Sequence, residues 1–172
     1  MLREALKLLP ETYGMSRAVA STYAATCFAV TGEVTLAQER RMREAVAVGR
    51  DFAREIGQIS SYAVPVIALG RMHVLQGRRR EAAACFEQAH ELLGTPVERW
   101  SGHSAISDIA RAELLWEQND LDEAERLVRQ GLELRDGPTT AGAEDLLAGS
   151  LLLARLLQAR GEDRKSTLNS SH

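Results

Sequence analysis

Small or polar turn residues at Gly32, Gly77, Asn119 and Gly161 follow one another at intervals of 45, 42 and 42 residues. This spacing limits what the chain can fold into more than any other feature. Seven residues before each turn stands a small side chain, Ala25, Gly70, Ala112 or Ala154, and four before it stand Phe28, His73, Leu115 and Leu157. Five residues after the first three turns come Ala37, Ala82 and Ala124. Small and large residues that recur in phase on both sides of a turn mark a repeat, in which each unit buries its apolar face only against its neighbours.

Between the turns the pattern is helical. After Asn119, residues Leu121, Ala124, Leu127, Val128, Gly131 and Leu132 keep the three-four spacing of one helix face. Asp120 with Glu123 forms a capping-box pattern, and Gly137 followed by Pro138 is a stop signal. Neither sustained alternation of apolar and polar residues nor an Asn-Gly hairpin dipeptide marks a strand. The expected fold is all-α, a solenoid of antiparallel helix pairs with about eight helices. A leading helix ends near Leu9 and Pro10, three pairs turn at Gly32, Gly77 and Asn119, and a long helix runs to about Arg160. The connection from Gly94 to Ser104 is longer than a usual helix-to-helix turn, and Trp100 is expected to anchor it.

With 172 residues and 45% hydrophobic content the chain can bury a core of its own. Its 21 basic and 24 acidic residues are interleaved, and the longest basic run, Arg78 to Arg80, reads as a solvated turn and not as a nucleic-acid stripe. Cys27 and Cys85 sit among apolar neighbours at helical spacing, which suits reduced thiols acting as small hydrophobes. No stretch has secretory length, and Gly149, Ser150 and Arg155 interrupt the most apolar region, so a soluble, cytoplasmic protein is expected. Leu2, Ala5, Leu8 and Leu9 make an apolar stripe without a preceding partner, as if an upstream repeat were missing. At the other end "DRKSTLNSSH" departs in composition and resembles a translated sequencing-library adapter. The domain is therefore placed at 1–162, and 163–172 is read as a non-native or disordered tail.

Leu69, Gly70, Gly77, Ala82, Phe86 and Ala89 resemble the tetratricopeptide (TPR) signature, in which small and aromatic residues let two helices interlock. His73 stands where that family prefers tyrosine, and the repeat interval is longer than its usual unit. The stretch "AELLWEQNDLDEAERLVRQGLEL" is similar to the repeats of MalT-like regulators, large ATP-dependent members of the LuxR family. "GEVTLAQERRMREAVAVGRDFAREIG" is similar to their long second helices, with Arg41 replacing the aromatic. The resemblance implies a repeat region that receives an inducer or a partner protein, flanked in such regulators by an NTPase module and a helix-turn-helix module. Neither flanking module is written in these residues: the phosphate-loop lookalike from Gly161 lacks the glycine before the lysine and follows a helix.

Catalytic, metal and cofactor signals are weak. His73 falls on a buried repeat position and His90 on a wet helix face, while His73, Cys85, Cys27 and His103 lack the short paired spacing of a zinc site. Ser101 and Ser104 near His103 come without an elbow or oxyanion-hole motif, and helix capping explains them more simply. The expectation is a non-enzyme without cofactor, metal, membrane or direct nucleic-acid binding. Its partner is expected to be a protein or a small-molecule inducer such as a saccharide, held on the concave face of the first helices. Arg71, Glu113 and Arg155 form a row there that serves either as an inter-repeat salt-bridge series or, with Trp116 as a stacking platform, as a polar ligand groove. A free-standing TPR scaffold for protein–protein interaction is the alternative.

Overall fold

A computed structural model describes residues 35–94, 102–133 and 143–169, and all secondary structure among them is helical. Six helices follow in order: α1 Leu36–Ile56, α2 Ser60–Leu75, α3 Arg79–Leu93, α4 Gly102–Glu117, α5 Leu121–Glu133 and α6 Ala143–Asn169. The count differs from about eight because the expected leading helix and the turn at Gly32 lie outside the described residues, as do Ala25, Cys27 and Phe28. The anchoring role expected of Trp100 and the stop at Gly137 and Pro138 also lie outside them. Two compact units divide the chain, Met1–Arg99 and Trp100–His172.

The repeat is visible in the backbone. At the α2–α3 turn, Gly77 N–H donates to the Val74 carbonyl and Arg78 N–H to the His73 carbonyl, both at 2.9 Å. At the α4–α5 turn, Asn119 donates to Trp116 at 3.0 Å and Asp120 to Leu115 at 2.9 Å, the same bonds 42 residues on. This pairing is a Schellman cap, and it demands left-handed backbone at one residue. Gly77 adopts φ +72° without strain, and Asn119 adopts φ 62°, a conformation that asparagine tolerates better than most residues. Asp120 caps α5 through Glu123 N–H at 3.4 Å, but only half of the expected capping box forms, because the Glu123 carboxylate takes Arg126 at 2.6 and 2.7 Å instead. A complete box opens α1, where Thr35 N–H donates to Gln38 Oε1 at 2.6 Å and Gln38 N–H to Thr35 Oγ1 at 3.3 Å.

Each hairpin interlocks through small residues. A Cβ on Gly70 would lie 2.4 Å from the Phe86 ring, so the glycine is the notch that receives it. The second hairpin solves the same contact with Ala112 and Val128, both fully buried: one more methyl on α4 is matched by a smaller side chain on α5. Ile109 then fills a slot between two glycines, because a Cβ on Gly131 of α5 or on Gly149 of α6 would come within 3.0 Å of it. In the first unit α1 crosses the start of α2 at Gly49, where a Cβ would meet the Ser61 carbonyl oxygen at 2.0 Å. Pro65 lies four residues after Ser61 in α2 and has no N–H to give that carbonyl, so the oxygen is left to face the neighbouring helix.

The fourth expected turn is not there. Gly161 is helical, and α6 continues through it to Asn169. Ala154, expected to be a close-approach residue, is exposed, while Asp145, Gly149, Leu152 and Leu156 form the buried face of α6. A glycine within a helical run needs a following cap or hairpin to become a turn, and a single glycine costs a helix only about 1 kcal/mol relative to alanine.

Candidate functional site

The four expected ligand-binding residues divide between the units. Arg71 is half-buried on α2 in the first; Glu113 and Trp116 lie one turn apart on α4, and Arg155 is exposed on α6, in the second. Spacing of three residues puts Glu113 and Trp116 on one face. Trp116 is half-buried and packs against the cluster of Ile109, Ala112, Leu127 and Leu156, so part of its ring serves the core and part stays at the surface.

A second polar centre, which sequence reading missed, ties the first unit together. Glu39, at the start of α1, accepts from Arg78 Nη2 at 2.5 Å, from Arg43 Nη2 and Nε at 2.9 and 3.2 Å, and from Gln76 Nε2 at 3.3 Å. Arg78 also bonds Gln76 Oε1. The hydrogen bond from Arg78, chiefly, holds the Glu39 carboxyl at a pKa of about 2; Arg43 and Gln76 add to it against the opposing effect of burial. Arg78 is therefore not the solvated turn residue expected from the basic run: it is the link between the α2–α3 turn and α1, while Arg79 and Arg80 remain exposed. The only signal in the sequence was Gln76 and Arg78 straddling the turn glycine, and their partner lies 39 residues upstream of Arg78.

His73 is an interior residue, 2% exposed, and its Nδ1 has no hydrogen-bond partner. Burial first, then the charge of Arg78, lowers its pKa, which favours the neutral ring. A closed helix interface surrounds it, which gives a substrate no approach. Cys85 is half-buried against the Met42, Leu69 and Met72 cluster, and burial raises its pKa, as for a packed thiol. His103 and Ser104 lie in the first turn of α4, half-buried, and Ser101 is outside the described residues. Among the described residues no group of three or more histidines, cysteines or carboxylates is arranged to hold a metal ion, and no helix is long and apolar enough to cross a membrane.

In the second unit the polar contacts tie helices to one another. Gln130 of α5 donates to buried Asp108 of α4 at 3.0 Å, and Arg160 of α6 reaches Asp122 and, at 3.1 Å, Glu125 of α5. The chemistry is that of a scaffold whose side chains hold helices in register, with surface left for recognition.

A family model, the MalT-like TPR region, matches residues 1–168. No curated protein and no solved structure matches the chain. The hairpins that turn at Gly77 and Asn119, the notch at Gly70 and the match over nearly the whole length agree: the chain belongs to the MalT-like TPR region family.

Proposed function

We propose that the chain is the non-catalytic sensor or interaction region of a MalT-like, LuxR-family transcriptional regulator, and that it binds an inducer or a partner protein in the cytoplasm. The observation that carries this reading is the family match over residues 1–168, supported by the paired hairpins in register. Glu113 and Trp116 on one face of α4, with Arg71 and Arg155 on α2 and α6, are the proposed ligand contacts: carboxylate and guanidinium groups to bind hydroxyls, and an indole face on which a sugar ring stacks.

Isothermal titration of the chain with oligosaccharides of increasing length, then with candidate partner proteins, tests it. Saturable heat that is lost in Trp116→Ala and weakened in Glu113→Gln, with far-UV circular dichroism unchanged, supports the groove. Equal heat from both variants and the parent chain refutes these contacts. The free-standing scaffold is distinguished by the gene: a reading frame that continues into a helix-turn-helix favours the regulator.

A further inference from the structure

α6 is apolar on two faces. One is packed, through Gly149, Leu152 and Leu156, against α4 and α5. The other presents Leu147, Leu151 and Leu157 at 61, 53 and 49% exposure, with exposed Ala154 among them. A soluble helix ordinarily keeps one apolar stripe, and a second one marks a surface meant to be covered.

The repeat says what covers it. Residues 42 before this row are Ala105, Ile109, Ala112 and Leu115 of α4, and 42 before those are Ala63, Ile67, Gly70 and His73 of α2. None of those eight is exposed. In α4 the covering side chains are Ala124, Val128 and Gly131 of α5; in α2 they include Phe86 of α3, with Ala82 and Ala89 buried on either side of it. The same row has thus twice received a helix with a small–large–small apolar face. α6 carries the row, but among the described residues the chain does not turn back at Gly161 to supply that helix.

We infer that the exposed face of α6 docks an amphipathic helix of a partner protein, with a small–large–small row facing the leucines and a carboxylate on its flank. The flank follows from Arg155, exposed next to Ala154 and one turn beyond Leu151, the charged side chain that borders this stripe. A second copy of α6 is disfavoured on the same ground, since pairing two such faces brings two guanidinium groups to the contact and no carboxylate from either described stripe. Leu147, bulky where Ala63 and Ala105 are small, selects a glycine or alanine opposite it, as α5 and α3 carry at Gly131 and Ala89. The inference rests on the interaction reading above and gives it a surface distinct from Trp116.

The chain provides its own probe. A fluorescently labelled, capped peptide of residues 120–133, the α5 sequence, is titrated with the intact protein and followed by anisotropy. Saturable binding is expected, weakened at least about tenfold by Leu151→Asp, by Leu147→Asp and by Val128→Asp in the peptide, and severalfold by Arg155→Glu. Leu147 and Leu151 are solvent-exposed, so unchanged circular dichroism should show that these variants fold. Equal peptide affinity for the parent chain and Leu151→Asp overturns the proposal. A concentration-dependent dimer in sedimentation equilibrium that Leu151→Asp dissolves also overturns it, by assigning the face to a second copy. Either failure leaves the oligosaccharide and partner titrations with Trp116→Ala untouched, because that residue lies on a different helix.

Discussion

The Gly70–Phe86 contact offers a direct test of repeat complementarity, because the second hairpin has solved the same problem with other residues. In Gly70→Ala the new methyl would sit 2.4 Å from the Phe86 ring, more than 1 Å inside an ordinary carbon–carbon contact of about 3.5–4.0 Å. Phe86 is 1% exposed and has no room to retreat, so overpacking costs about 2–3 kcal/mol, offset by about 1 kcal/mol from the better helix propensity of alanine. The net loss is about 1–2 kcal/mol. Phe86→Val alone opens a cavity and costs about 2–3 kcal/mol. The double variant reproduces the Ala112–Val128 pair, so the methyl fills part of the cavity and the two losses do not add: a favourable coupling of about 1.5 kcal/mol is expected. Urea unfolding followed at 222 nm on the four proteins of the cycle measures it. Coupling below about 0.5 kcal/mol would show that the two hairpins are not alternative solutions of one contact.

Buried His73 should give stability a pH dependence of definite sign. Its folded pKa is lowered, so the unfolded chain binds the proton more readily; the stabilising effect of the neutral ring is complete above the ordinary value near 6.5 and is lost as pH falls below it. Stability should therefore drop between pH 7 and pH 5 in urea titrations, and His73→Leu, the residue found at position 115, should flatten that slope. Glu39 acts in a lower window: with a folded pKa of about 2 against an ordinary 4.5, its contribution is full above 4.5 and disappears as pH falls toward 2. At pH 7, Glu39→Gln should cost about 1–3 kcal/mol, because Arg78 and Arg43 keep their charges without the carboxylate that binds both; an unchanged urea midpoint would contradict the network. Gly49→Ala must force α1 away from the Ser61 carbonyl and should lower stability by about 2 kcal/mol despite its gain in helix propensity; a higher melting temperature would contradict the close crossing. At the turn, Asn119→Gly should raise stability by up to about 1 kcal/mol and Asn119→Val should lower it by about 1–2, and equal melting temperatures would argue against the left-handed backbone.

Much of the hairpin architecture was legible because it is local. Gly70, Gly77, Ala82, Phe86 and Ala89 lie within 20 residues, and helix period, small-residue phase and turn chemistry all agree there. The hub at Glu39 was not legible: an acid one turn into a helix reads as ordinary surface, and only the packing of α1 against the α2–α3 turn brings Arg78 and Gln76 to it. Gly161 misled for the opposite reason. It continues the interval, but a turn needs a following helix to pack back, and α6 has none among the described residues, so the local preference for helix prevails. Of the expected site, the side-by-side placement of Glu113 and Trp116 follows from helix period alone; that Trp116 is half committed to the core depends on α5 and α6, which the period of α4 does not reveal.

The central claim is that successive hairpins interlock by large side chains seated on small residues in register. Nuclear Overhauser contacts in the intact chain measure this directly. The account predicts strong cross-peaks from the Phe86 ring to the Gly70 α-protons, and from the Ile109 methyls to the α-protons of both Gly131 and Gly149. Assigned spectra without those contacts, with the Phe86 ring in exchange with water-facing conformers, would contradict it.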